Sequence, residues 1–135
     1  MWFENSFRRH LLDMHITDWD DGVFLSEFSA EKYYENLKKA NVKSAMIYLQ
    51  SHVGYCYYPT KTGIMHPAFN KNPYEMKKLV ELCHQGGIDV VAYYSINYNT
   101  LESKRHPEWE AVRSGGKTAH PHMFSGGRYG VCCPN

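Results

Sequence analysis

His15, His52 and Asn97 are the residues most able to do chemistry here, because each lies at or near the end of a short strand-like run, residues 7–16, 43–52 and 89–97. Imidazole and carboxamide groups both donate and accept hydrogen bonds, so side chains of this kind at one mouth can hold a hydroxyl-rich ligand. The composition points the same way, with 15% aromatic residues and 11 Tyr. A tyrosine face packs on C–H groups while its hydroxyl bonds, which suits a sugar ring. Any single Tyr can equally be packing between helix and sheet. Asp13 is the one carboxylate placed on an inner strand face, and its position below His15 suits orienting a His or Arg better than attacking a substrate. Asp18, Asp20, Asp21 and Glu27 fall in or near a polar loop, where solvation is the default. Glu108 falls in a helix first turn, where the helix dipole favours an acid in any case.

The elements that must position these residues alternate in type. Helical patterns over 29–40 and 72–85 follow the first and second runs, at a β/α spacing near 40 residues. Such alternation implies a parallel sheet with crossover helices, with function at the carboxyl ends of the strands. Parity puts Leu11, Asp13 and His15 on one face of the first run and Leu12, Met14 and Ile16 on the other. In the second, Ala45, Ile47 and Leu49 form an apolar outer face, and Met46, Tyr48, Gln50 and His52 an increasingly polar inner one. In the third, Val91, Tyr93, Ser95 and Asn97 are assigned inward. Ser29 is the expected cap of the first helix, with Tyr33, Leu37 and Ala40 on one face and Asn41 at its end. For the second, Asn72 is the expected cap, followed by Pro73 and Glu75, with Gly86 and Gly87 past the end. Its buried stripe is Met76, Leu79, Val80 and Cys83. Residues 53–71 read as a long functional loop, a short helix is expected at 107–112, and 114–135 is irregular.

Composition excludes some partners. Lys plus Arg is 15 against 14 for Asp plus Glu, a net charge of +1, which gives no pull toward nucleic acid or an anionic membrane. No run approaches the roughly 18 apolar residues of a membrane span. The basic-then-apolar order of a signal peptide is missing, so the expected location is cytoplasmic. The four cysteines follow no metal spacing, and adjacent Cys132 and Cys133 read as thiols rather than a redox or soft-metal pair. No metal or cofactor is expected.

The most specific stretch is Gln50-Ser51-His52-Val53-Gly54-Tyr55-Cys56-Tyr57-Tyr58-Pro59-Thr60-Lys61. With the strand Gly86-Gly87-Ile88-Asp89-Val90-Val91-Ala92-Tyr93-Tyr94-Ser95 it resembles the N-terminal half of the catalytic barrel in α-L-fucosidases of glycoside hydrolase family 29. It is closer to the related hypothetical glycosyl hydrolase 6 group, whose pattern His-x-Gly-Tyr-x-Tyr-Tyr-Pro-Thr-Lys is matched over 52–61. A His-Pro at 66–67, the His-Pro-Glu-Trp at 106–109 and a Cys-x-Asn at 133–135 extend the match over nearly all of 7–135. The resemblance implies that His15 lines a sugar site and that His52 is the second His of the fucosidase His-His pair. Ser51 stands where the first would be and Val53 where an Asp would be, which argues against strict fucose specificity.

The expected architecture is therefore the N-terminal part of a (β/α)8 barrel, about three β/α units forming one incomplete domain over 1–135. A closed barrel takes roughly 250 residues. The expected function is hydrolysis of O-glycosidic bonds, fucosidase-like or galactosidase-like, on a carbohydrate substrate. His15, His52, Tyr55, His66, Tyr93, Ser95 and Asn97 would bind the substrate, with Asp13 and Gln50 in support. The catalytic carboxylates are expected beyond Asn135, and the segment alone is expected to be inactive. His15, His52 and either Ser95 or Asn97 should converge on one mouth. Open strand edges make homo-oligomerisation of the full-length protein an open expectation. A metal-dependent sugar isomerase or epimerase and a non-catalytic carbohydrate-binding protein stay open as alternatives.

Overall fold

The computed structural model describes residues 2–4, 6–15, 24–116 and 130–134. The acidic loop at 17–22 and Ile16 lie outside the described residues. In chain order the elements are β1 (Arg9–Leu11), α1 (Ala30–Lys39), β2 (Ser44–Tyr48), β3 (Tyr55–Cys56), β4 (Ile64–Met65), α2 (Glu75–Gln85), β5 (Asp89–Tyr93) and α3 (Thr100–Arg105). β1, β2 and β5 form one parallel sheet in that order, and β3 and β4 form a second, two-stranded one. In the main sheet Arg9 pairs with Ser44, Ser44 with Asp89, and Tyr48 with Tyr93. This is the expected α/β arrangement, part of a β/α barrel.

The helices pack on the outer face. Leu37 of α1 and Met76, Leu79 and Cys83 of α2 are fully or almost fully buried against Ala45 and Ile47 of β2 and Ile88 beside β5. Val80 is partly buried and Ala40 is exposed. Burying apolar side chains from alternate strand positions and one helix stripe is what holds this two-layer unit together. Ser29 caps α1 as expected, its Oγ accepting from the Lys32 amide at 3.3 Å. Asn41 closes it in the left-handed region, φ 51°.

The strands are shorter than their apolar patterns, because each chain finds other partners past the ladder. After β1, the Asp13 carboxylate accepts from the His15 amide at 2.9 Å, and that local turn takes the backbone out of the sheet. Met14 is buried at this point while Leu12 is substantially exposed. After β2, the chain folds back on the long loop: the Ser51 amide donates to Tyr55 O and the Tyr57 amide to Leu49 O. After β5, the Ser95 hydroxyl donates to Tyr98 O at 2.9 Å. The long loop at 53–71 is thus not structureless, since it contains the β3–β4 pair and a 3-10 turn at Pro67–Phe69. At 107–112 only a 3-10 turn, Pro107–Trp109, forms, because Glu110 then bridges to Cys132.

α2 begins at Glu75, three residues after the expected cap Asn72, with Tyr74 at the cap position and no side-chain cap bond. The Glu75 carboxylate explains the shift. Instead of reaching back along its own helix, it accepts from the Ala30 amide at 2.8 Å, capping α1 from the neighbouring helix. Ala30 is fully buried, so loss of this acceptor strands an amide. Glu75→Ala is expected to cost about 1–2 kcal/mol in urea unfolding, with Glu75→Gln recovering most of it. An unchanged midpoint in Glu75→Ala would refute the cross-helix cap. Among the described residues, no helix is long and apolar enough to cross a membrane.

Candidate functional site

The carboxyl ends of β1, β2 and β5 bring Asp13, His15, Tyr48, His52 and Tyr93 into one cluster. Parity accounts for it. Tyr48 and Tyr93 are register partners on adjacent parallel strands, and their rings stack at 4.0 Å and 21°. The His15 ring stands edge-on to both, 5.3 Å from Tyr48 and 5.5 Å from Tyr93, and 4.9 Å from the His52 ring.

His15 is held at both ring nitrogens. Nδ1 lies 2.5 Å from Asp13 Oδ1 and 2.9 Å from the Tyr48 hydroxyl, and Nε2 lies 2.9 Å from the Tyr93 hydroxyl. The Tyr48 hydroxyl also donates to Asp13 Oδ1 at 3.3 Å. The His15 backbone N–H, and then its imidazole and the Tyr48 hydroxyl, hold the Asp13 carboxyl below the usual range against a partial loss of solvent. Burial, with the Asp13 charge beside it, pushes the Tyr48 hydroxyl up, so it stays a phenol. His52 is buried, and its pKa falls to about 4, first because desolvation penalises the imidazolium and second because His15 is close. At neutral pH it is an uncharged imidazole with one donor and one acceptor nitrogen.

Gln50 and Ser51 lead into His52 and are buried. Gln50 Oε1 and Ser51 Oγ make no hydrogen bond among the described residues, so the end of β2 keeps unspent polar capacity.

Tyr55 and His66 form a second group. The His66 ring sits 5.1 Å from Tyr55, 5.7 Å from Tyr57 and 6.2 Å from Phe24, almost fully buried, and its Nδ1 accepts from the Ala68 amide at 3.1 Å. That bond caps the 3-10 turn at Pro67–Phe69. Ser95 is buried and engaged by Tyr98 O, and Asn97 is exposed, its carbonyl accepting from the Cys132 amide. The third-strand member of the mouth is therefore Tyr93, two residues before Ser95. Glu108 is exposed and bonded to His106 Nδ1 at 3.1 Å, with the His106 ring stacked on Trp109. Tyr48 is the participant that sequence reasoning set on the inner face without giving it a role. Its inward parity, two residues before Gln50 and four before His52, was the available signal. Among the described residues, no three His, Cys, Asp or Glu side chains are grouped to hold a metal ion.

The profile of the family described as hypothetical glycosyl hydrolase 6 matches residues 29–135. Among solved structures, an α-L-fucosidase isoenzyme 2 from Paenibacillus thiaminolyticus superposes with a TM-score of 0.72 at 22% identity, over 94% of this chain and 19% of that one. A hypothetical protein from Ruminiclostridium thermocellum ATCC 27405 gives a TM-score of 0.54 at 15% identity, over 78% of this chain and 54% of that one. An α-amylase from Lactobacillus plantarum gives 0.54 at 12% identity, over 97% of this chain and 32% of that one. This chain thus spans about a fifth of the fucosidase's length and about half of the Ruminiclostridium protein's. At these identities the likeness shows the fold alone. No curated protein matches.

Proposed function

Since this chain belongs to the hypothetical glycosyl hydrolase 6 family, we propose that it supplies the sugar-binding strand ends of a β/α-barrel glycoside hydrolase. The observation that carries this reading is the convergence of His15, His52 and Tyr93 at the carboxyl ends of three parallel strands. In such folds that end of the sheet is where ligands bind. Neutral His52 can both donate to and accept from a sugar hydroxyl. The half-buried Tyr93 ring, backed by the buried Tyr48 ring on which it stacks, adds a face on which sugar C–H groups pack.

The chemistry itself is a separate requirement. Hydrolysis through an oxocarbenium-like transition state takes two carboxyl groups about 5–10 Å apart in most families. In the described cluster Asp13 is the one carboxylate, and it is committed to His15 and Tyr48. The described residues of the cluster therefore bind and orient, and the reacting carboxylates are sought outside it.

The test is turnover of aryl fucosides, galactosides and glucosides by the full-length protein and its His52→Ala variant. The expected loss in kcat/KM is about tenfold, in the range of a hydrogen bond to a buried group. It should exceed the change in unfolding free energy. A sharp drop in thermal stability with normal kinetics in the surviving fold would make His52 a core residue and refute the reading.

A further inference from the structure

We propose that Asp13 is a positioning residue: acting through the His15 ring, it sets the direction of the Tyr93 hydroxyl, so that Tyr93 meets a bound sugar as a hydrogen-bond acceptor. The proposal deepens the sugar-site reading above and rests on it for its ligand. Its geometric core is the chain of contacts Asp13 Oδ1 to His15 Nδ1 at 2.5 Å and His15 Nε2 to Tyr93 Oη at 2.9 Å.

Each contact needs one proton, and the acid–base character of the groups says where it sits. An ionised carboxylate has no hydrogen to give, so the proton between Oδ1 and Nδ1 belongs to the imidazole. The Asp13 carboxylate is kept ionised by the donors around it, the His15 backbone N–H first. In a neutral ring with the proton on Nδ1, Nε2 is a bare lone pair. The hydrogen in the Nε2–Oη contact then comes from the Tyr93 phenol. With its one hydrogen turned to His15, the Tyr93 oxygen has only acceptor capacity left for the mouth.

Tyr48 provides the competing arrangement. Its hydroxyl lies 2.9 Å from His15 Nδ1 and 3.3 Å from Asp13 Oδ1. If it donated to Nδ1, the ring proton would move to Nε2, and Tyr93 would present its hydrogen outward. That state would leave Nδ1 and Oδ1 facing each other at 2.5 Å as two acceptors, which is repulsive. With Tyr48 donating to Asp13 instead, every hydrogen in the cluster has a partner. Asp13 thereby fixes which polarity of hydroxyl contact the mouth selects, although it need not touch the sugar. A ligand hydroxyl that donates to Tyr93 is accepted, and a fluorine in its place loses the bond.

The experiment reads the His15 ring directly. The full chain is labelled with 15N-histidine, and the His15 ring nitrogens are followed by long-range nitrogen–proton NMR at mildly alkaline pH, with no ligand present. The expected wild-type spectrum has a protonated Nδ1 and a bare Nε2. Asp13→Asn, whose amide can donate to Nδ1, is expected to invert the tautomer, as an amide does when it replaces a tautomer-fixing carboxylate. Tyr93→Phe and Tyr48→Phe should both keep the wild-type pattern. A wild-type ring protonated at Nε2, or at both nitrogens, overturns the proposal, as does an Asp13→Asn ring with unchanged tautomer. The wild-type spectrum decides even if a variant fails to fold. Failure of the full-length protein to turn over any sugar would remove the glycosidase reading while leaving these signals where they are.

Discussion

Purified alone, these 135 residues are expected to leave aryl fucosides, galactosides and glucosides uncleaved. The reaction needs an acid and a nucleophile or base as two carboxyl groups flanking the bond. In the described cluster at the carboxyl ends of β1, β2 and β5 only Asp13 is a carboxylate, and three donors already hold it: the His15 amide, the His15 ring and the Tyr48 hydroxyl. β1 and β5 are both edges of the sheet among the described residues, so the mouth is open to water on two sides. β1 itself carries exposed Leu11, and exposed apolar side chains flank the two edge strands, Phe7 at 89% before β1 and Tyr94 at 53% and Ile96 at 70% after β5. Edges of this kind pair with other chains, so size-exclusion chromatography should show association rather than a sharp monomer. Clear turnover by a monodisperse monomer would overturn both statements, and Asp13 and Glu108 would be the first residues to substitute.

The second large effect is acid destabilisation centred on His52. Its folded-state pKa of about 4 lies below the ordinary 6.5, so the unfolded chain takes up a proton that the folded chain refuses. Above pH 6.5 both states are neutral at this group and it exacts no penalty. Between 6.5 and about 4 the unfolded state gains, and stability falls as pH falls. At about 1.4 kcal/mol per pKa unit the full loss approaches roughly 3 kcal/mol, levelling once the folded state protonates too. Urea midpoints followed across that window should decline for the wild type and run nearly flat for His52→Gln. Equal slopes in the two proteins would show that some other group sets the acid limit.

The parallel β/α order was legible because each strand and helix shows its own period. Ala45 and Ile47 alternate with Met46 and Tyr48, while Met76, Leu79 and Cys83 recur on one helical face. The meeting of His15 with His52 was legible from the same alternation. Other features were not, because they depend on long-range partners that no local period records. Strand ends were overextended since nothing in the apolar run announces that Ser51 will bond to Tyr55 or that Asp13 will turn back on His15. The start of α2 moved because Glu75 serves Ala30, 45 residues away. α3 escaped notice although Asn99 accepts from the Glu102 amide, a cap signal masked by the strand pattern running straight into it. His66 resembled a loop histidine available to a ligand, and only the aromatic walls from Phe24, Tyr55 and Tyr57 reveal how deeply it is packed.

The segment just after His52 is fastened by groups far along the chain. Gly54 stands at φ +113°, close against the Asn99 side chain, and the Leu101 amide donates to Val53 O at 2.9 Å. On the ribosome these fasteners emerge roughly 50 residues after His52, a delay of about 2–10 s at ~5–20 residues per second. For those seconds the β2 hairpin-like return can form while its far anchor is still being made. The nascent chain thus passes through an interval in which β1 and β2 have both been made while the far anchor of the mouth has not. Slow codons placed between the stretches encoding Gly54 and Asn99 would lengthen that interval and raise the share of chains captured by chaperones.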